Sequence, residues 1–299
     1  MGGALRYYWD VERGTLDEGL RYCRFGHGPE TVVVIPGIDD SLHDFQWFPR
    51  LWAWYFRPLV AAGHTVVLLS RPRGLGDTAC TTELAELYGA AIERRFGPCH
   101  VVGISMGGMI AQHLAARKPT LVRRLVLAVT AHRLGEDGHA HGHALANLAS
   151  TARWRAFLLR TVRICFTGLH LWALTTLLSV FGFVLITRRA AAARDFSAST
   201  LACAAHDATD LLRRIQAPTL VWGARDDCLF PYPSVVQMAS HLPQARLVAV
   251  PGAHAAFLQR RTAFHTAVGQ FLSAPSPVEA PRTDPSGHPV TPHPARGSG

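Results

Sequence analysis

Cys99-His100-Val101-Val102-Gly103-Ile104-Ser105-Met106-Gly107-Gly108 is the stretch on which the fold turns. It opens as a short apolar run and so predicts a buried strand. Met109 to Arg117 then predicts a helix. Ser105 stands where one becomes the other, in a G-x-S-x-G arrangement. A strand-to-helix turn that tight projects its central side chain, and glycines flank it because side chains there would collide. Ser105 is therefore the candidate nucleophile. The Met106 amide, at the start of the helix, is a candidate donor to a developing oxyanion.

A serine hydroxyl is a weak nucleophile and needs a base. The chain holds 16 histidines, so position matters more than identity. His254 lies in Pro251-Gly252-Ala253-His254, directly after the last predicted strand, and is the candidate base. The group that orients it should follow the preceding strand. Asp226 and Asp227 both do, within Gly223-Ala224-Arg225-Asp226-Asp227-Cys228. The spacing to Pro231 favours Asp227, the spacing from Gly223 favours Asp226, and the sequence leaves both open with Asp227 preferred. A second oxyanion donor is expected from Pro36-Gly37-Ile38-Asp39-Asp40, namely the Ile38 amide.

Six apolar runs read as strands, at 31–35, 64–69, 99–104, 125–129, 219–222 and 246–250. Helical spacing occupies 46–62, 82–96, 106–117, 232–242 and 256–272. Alternation of this kind predicts an α/β fold: a mostly parallel, doubly wound sheet flanked by helices. The site then belongs at the carboxyl ends of the strands. The alternation breaks between about 133 and 214, where an apolar helical cap is expected between two strands. The division is thus 1–132 and 215–272 for the two parts of the core, 133–214 for the cap, and 273–299 for a Pro-rich disordered tail.

With these pieces in place, the chain resembles the α/β-hydrolase fold superfamily. The resemblance rests on Ile35-Pro36-Gly37-Ile38, Ser70-Arg71-Pro72-Arg73-Gly74-Leu75, Gly103 to Gly108, Ala217 to Gly223, and Gly252-Ala253-His254. It implies a cofactor-free, metal-free esterase, lipase, thioesterase or C–C bond hydrolase acting through Ser105, Asp227 and His254. The loop at Pro36-Gly37 lacks the His-Gly start common in the family, and the acid loop is one residue longer than usual. The rival expectations are a non-catalytic binding module on the same fold and a membrane-associated protein anchored by residues 164–187.

Formal net charge is +9, almost all of it arginine, with Lys118 the lone lysine. The arginines are scattered and no nucleic-acid motif accompanies them, so no nucleic-acid partner is expected. Mean hydropathy is +0.12, which is high and points to apolar surface. Ile164 to Thr187 is uncharged and nearly all apolar, long enough to span a bilayer. Its place between two strands of one sheet argues instead for cap helices or an interfacial helix with arginine flanks. Either way a hydrophobic small-molecule or acyl ester substrate is expected, with peripheral membrane contact through the cap. Six cysteines without a C-x-x-C pair, and a polar start without an apolar leader, predict reduced thiols in a cytoplasmic protein, with membrane association as the alternative. His139, His141 and His143 alternate in what reads as a Gly/Ala-rich loop and are not expected to hold a metal. His206-Asp207 reads as structural.

Overall fold

The computed structural model describes residues 10–42, 48–76, 78–181 and 190–274. Eight strands form one sheet: β1 (Glu12–Thr15), β2 (Arg21–Phe25), β3 (Glu30–Ile35), β4 (His64–Leu69), β5 (Cys99–Ile104), β6 (Val122–Ala128), β7 (Thr219–Ala224) and β8 (Ala245–Val250). Their order is β1-β2-β4-β3-β5-β6-β7-β8. From β4 to β8 every pairing is parallel, as the apolar runs predicted. The first two strands pair antiparallel and were not legible. Both are short and half-polar, because β1 is an edge strand that leaves its residues largely in water.

The helices are α1 (Pro49–Ala61), α2 (Thr81–Arg95), α3 (Met106–Arg117), α4 (Glu136–Ser150), α5 (Trp154–Cys165), α6 (Gly168–Phe181), α7 (Ala190–Ala204), α8 (Tyr232–His241), α9 (Ala256–Gln259) and α10 (Arg261–Leu272). One apolar cluster packs α2, α3 and α8 on one face of the sheet, through residues such as Val33, Val101, Tyr88, Met109, Ile110 and Met238. A second packs α1 and α10 on the other face, around Val34, Val102, Phe56, Trp222 and Phe264. The expected helix over 256–272 is broken at Arg260, which lies at φ −112 and ψ 43.

Chain direction positions the site. After β3 the chain moves to β4 on one side, and after β5 it moves to β6 on the other. The loops leaving β3 and β5 therefore diverge, opening a crevice at the carboxyl ends of these two strands. Ile38 follows β3 and Ser105 follows β5.

Helices α4 to α7 lie between β6 and β7 in the chain. Of these, α4, α5 and α7 build a small apolar cluster around Leu145, Phe157, Ile164 and Phe196, against which Ile38 and Leu229 also pack. The 164–187 run is not one helix: α5 ends at Cys165, and α6 begins at Gly168 with φ +60. Among the described residues no helix is long and apolar enough to cross a membrane. Residues 182–187 of that run lie outside the described residues, as does the expected tail beyond Ala274. His139, His141 and His143 stand on α4 rather than in a loop. All six cysteines are free thiols.

Candidate active site

Ser105 sits at φ 54, ψ −119, a conformation that costs a non-glycine residue about 1–3 kcal/mol. The surroundings hold it there. Its N–H donates to the Ala128 carbonyl at 2.9 Å, and its carbonyl accepts from Gly108 N–H at 2.8 Å. The flanking glycines are demanded by space. A Cβ on Gly103 would lie 2.6 Å from the Gly107 carbonyl oxygen, and one on Gly107 would lie 2.0 Å from the Ile35 oxygen.

His254 Nε2 is 2.9 Å from Ser105 Oγ, and His254 Nδ1 is 2.8 Å from Asp227 Oδ2. All three side chains are buried, though Ser105 and His254 each keep a little exposure. Asp227 is fixed by two further bonds: its Oδ1 accepts from Leu229 N–H at 2.9 Å and Phe230 N–H at 3.2 Å. The Phe230 ring packs against the imidazole with centroids 5.7 Å apart. Asp226 points elsewhere. Its Oδ2 accepts from Gly252 N–H at 3.0 Å, and its own N–H donates to the Gly252 carbonyl at 3.0 Å. The two aspartates thus divide the work: Asp226 ties the loops after β7 and β8 together, and Asp227 meets the imidazole that this tie brings near.

Burial alone would lower the pKa of His254. The adjacent Asp227 charge and hydrogen bond, aided by the Asp39 charge, outweigh it and leave the imidazole above its ordinary value.

The Ile38 loop runs against Ser105. A Cβ on Gly37 would lie 3.4 Å from Ser105 Cβ and 2.9 Å from Asp39 Oδ1. Ile38 and Met106, the two expected donors, therefore flank Ser105 from the loop and from the helix start. Sequence reasoning missed what holds this loop. Arg71 is almost completely buried, and its guanidinium donates to the Pro36 carbonyl at 3.1 Å and the Gly37 carbonyl at 2.6 Å. Asp40, fully buried, accepts from Arg71 N–H at 2.8 Å and pairs with Arg73 at 3.3 Å. Because a trans peptide sets N–H opposite C=O, the turn of the Gly37 carbonyl toward Arg71 directs the Ile38 N–H away from that side chain, while the Asp40 N–H returns to the Gly37 carbonyl at 3.3 Å. The sequence marks Arg71 only as part of the Ser70–Leu75 motif and not as the support of this loop, because a buried arginine looks like any other in sequence.

Helix α7 and the end of α5 contact the loops around this crevice. Asp195 on α7 accepts from Gly74 N–H and Leu75 N–H, and Ser199 hydrogen-bonds Ser41 at 2.9 Å. The Cys165 carbonyl, at the end of α5, accepts from Ala255 N–H at 2.8 Å. Burial drives the Cys165 thiol above its ordinary range, and the Asp227 and Asp39 charges push it further the same way. A cavity of about 430 Å³ lies between α4, α5 and the Asp227 loop. Leu148, Ala156, Leu159, Ile164 and Cys228 supply its apolar wall, and Arg160 and Arg163 its basic rim.

His206 is buried and bonds Thr81 Oγ1 at 2.9 Å, while Asp207 accepts from Thr209 N–H, so neither meets the site.

Residues 32–267 match the Alpha/beta hydrolase family. The chain belongs to that family. Over 182 residues it is 34% identical to a pimeloyl-[acyl-carrier protein] methyl ester esterase of Chromobacterium violaceum, covering 58% of this chain and 70% of that one. Over 124 residues it is 32% identical to 2-hydroxy-6-oxononadienedioate/2-hydroxy-6-oxononatrienedioate hydrolase 1 of Dechloromonas aromatica. That match covers 39% of this chain and spans 42% of the relative's length. Among solved structures it resembles MGS-M2, an alpha/beta hydrolase enzyme from a Medee basin deep-sea metagenome library. There the TM-score is 0.76 at 20% identity, covering 88% of this chain and 98% of that one, which supports the fold. The family and its hydrolase-named relatives support hydrolase activity.

Proposed function

We propose that this hydrolase cleaves an ester or thioester of a hydrophobic small molecule or lipid through an acyl-enzyme. One observation carries the reading: an unbroken hydrogen-bonded chain from Ser105 Oγ through His254 to Asp227, at 2.9 and 2.8 Å. Ser105 Oγ attacks the carbonyl carbon as its proton passes to His254 Nε2. The carbonyl oxygen becomes an oxyanion held by the Ile38 and Met106 amides. Collapse expels the alcohol or thiol, which takes the proton from His254. Water then attacks the acyl carbon as its proton passes to the imidazole, and collapse breaks the bond to Ser105 Oγ, which takes that proton back from His254 as the acid leaves.

Residues 133–214 form a cap over the site in this reading, and the cavity beside α5 holds the apolar part of the substrate. An ester-cleaving relative agrees with the reading. Covalent labelling by a fluorophosphonate, lost in Ser105→Ala, is the expected outcome; an unlabelled wild type would favour a non-catalytic binding module. Among p-nitrophenyl esters, activity should rise with acyl length, and Leu159→Trp should remove that rise while sparing acetate. A preference for short chains would overturn the hydrophobic-substrate reading.

A specific observation also favours peripheral membrane contact. Leu169 and Trp172 on α6 are 74% and 66% exposed, close in chain to Arg160 and Arg163. Co-sedimentation with anionic vesicles, weakened in Trp172→Glu, is the expected result.

A further inference from the structure

The opposite end of the sheet carries a second cluster of chemistry. Glu30 is the first residue of β3, His64 the first of β4, and His100 the second of β5. These three strands are adjacent and parallel, with Glu30 level with His64 and Val32 level with His100. The register thus gathers the three side chains at the amino ends of the central strands. His100 lies five residues before Ser105 on β5, about 16 Å at strand rise.

Both imidazoles are buried, and all four of their ring nitrogens lack a hydrogen-bond partner. Leaving even one such atom unpaired costs about 1–3 kcal/mol, so four in one place call for an occupant. The Glu30 Oε2 atom faces them, 3.8 Å from His64 Nδ1 and 3.5 Å from His100 Nε2, both longer than an ordinary hydrogen bond. One ligand atom from each of the three residues can be chosen so that all lie within 4.8 Å of one another. Ligands on a tetrahedral zinc ion at 2.0–2.1 Å sit about 3.3 Å apart, so the two separations to Glu30 are within about half an ångström of what coordination requires. A cavity of about 140 Å³, lined in part by Glu30 and His100, opens beside them.

We propose that Glu30, His64 and His100 form a binding site for a zinc-class divalent cation, clamping the amino ends of β3, β4 and β5. Two imidazoles and one carboxylate suit a borderline transition metal, whereas calcium and magnesium prefer oxygen ligands throughout. Arg123 lies 3.6 Å from the other carboxylate oxygen, Oε1, and leaves Oε2 facing the rings. Its charge offsets that of Glu30, which makes the imidazoles the principal source of affinity. The ion is a structural clamp, since it lies at the far end of the strands from Ser105.

The test is cobalt(II) titration of the full-length, chelator-stripped protein, read by visible absorption and by thermal melting. The expected result is one equivalent bound with a tetrahedral spectrum, bleached by zinc, and a raised melting temperature. His64→Gln and His100→Gln should abolish it, and Glu30→Gln, at a half-exposed position that should not disturb folding, should weaken it at least tenfold. Replacing His139, His141 and His143 together with Gln should leave it intact. A wild type without a saturable site, a site that survives Glu30→Gln unchanged, or one that vanishes with the α4 histidines would overturn the proposal.

Discussion

Asp226 and Asp227 differ only in what their oxygens touch, and that difference can be measured. Asp227→Asn keeps the shape but removes the charge that orients and stabilises the imidazole. On the proposed mechanism turnover falls about 10³- to 10⁴-fold. Asp226→Asn should lower the melting temperature by loosening the Gly252 contacts while sparing most turnover. Equal losses of turnover in the two variants would overturn this division. Asp39 supplies a second residue-scale expectation. Its negative charge helps raise the His254 pKa. The base must be neutral to accept a proton, so activity is lost as pH falls through that raised value. Asp39→Asn removes part of the stabilisation of the imidazolium, and the acid limb of the kcat/KM profile should move to lower pH. A limb that stays in place, or moves up, would remove Asp39 from the account. The sequence had narrowed the acid to two neighbours and could go no further. Loop residues have no period, and the choice depends on a tie between β7 and β8 made across more than twenty residues of chain.

At the scale of elements, the strand runs of β3 to β7 were legible because parallel strands are buried on both faces and read as continuous apolar segments, and β8, a half-exposed edge strand, was legible from its Leu247–Val250 apolar run. Helix α3 and its turn were legible because a tight turn admits few residues. The antiparallel strands β1 and β2 were not, since a half-solvated strand of four or five residues resembles a loop. Nor was the support beneath the Ile38 loop. Arg71 and Asp40 are 31 residues apart, and their burial follows from tertiary packing alone. Arg71→Met takes the guanidinium from the Pro36 and Gly37 carbonyls, leaves Gly37 only the Asp40 N–H at 3.3 Å, and removes the positive charge 3.9 Å from Asp40 Oδ2. Breaking a buried pair in this way costs about 3–5 kcal/mol, measurable by denaturant unfolding. Turnover should fall as well, because the oxyanion loop is no longer held. Adding Asp40→Asn relieves the buried charge and should recover part of the stability without recovering turnover. If turnover returns with stability, the loop-positioning role fails.

For the molecule as a whole, the histidines set the response to acid. Burial lowers the pKa of His64, His100, His113, His132, His206 and His265, with His206 at about 3 and His100 and His265 at about 4. In the unfolded chain each titrates near 6.5. Between those values and 6.5 the unfolded state therefore binds more protons than the folded state. Stability rises with pH wherever that is so, and it must fall as pH drops through this window. His254 acts the other way: its raised pKa contributes stability below about 6.5 that is lost as pH climbs through the raised value. Six groups against one fix the net sign. The melting temperature should decline steadily from pH 7 to pH 4.5, well before most carboxylates titrate. His265→Phe tests the attribution without touching the site. That ring packs among Tyr55, Phe56 and Phe264, and its two nitrogens have no hydrogen-bond partner. An apolar ring there cannot take up a proton in the unfolded chain, so the slope of melting temperature against pH should flatten between pH 6.5 and 4. An unchanged slope would mean that the buried histidines are not what makes the fold acid-sensitive.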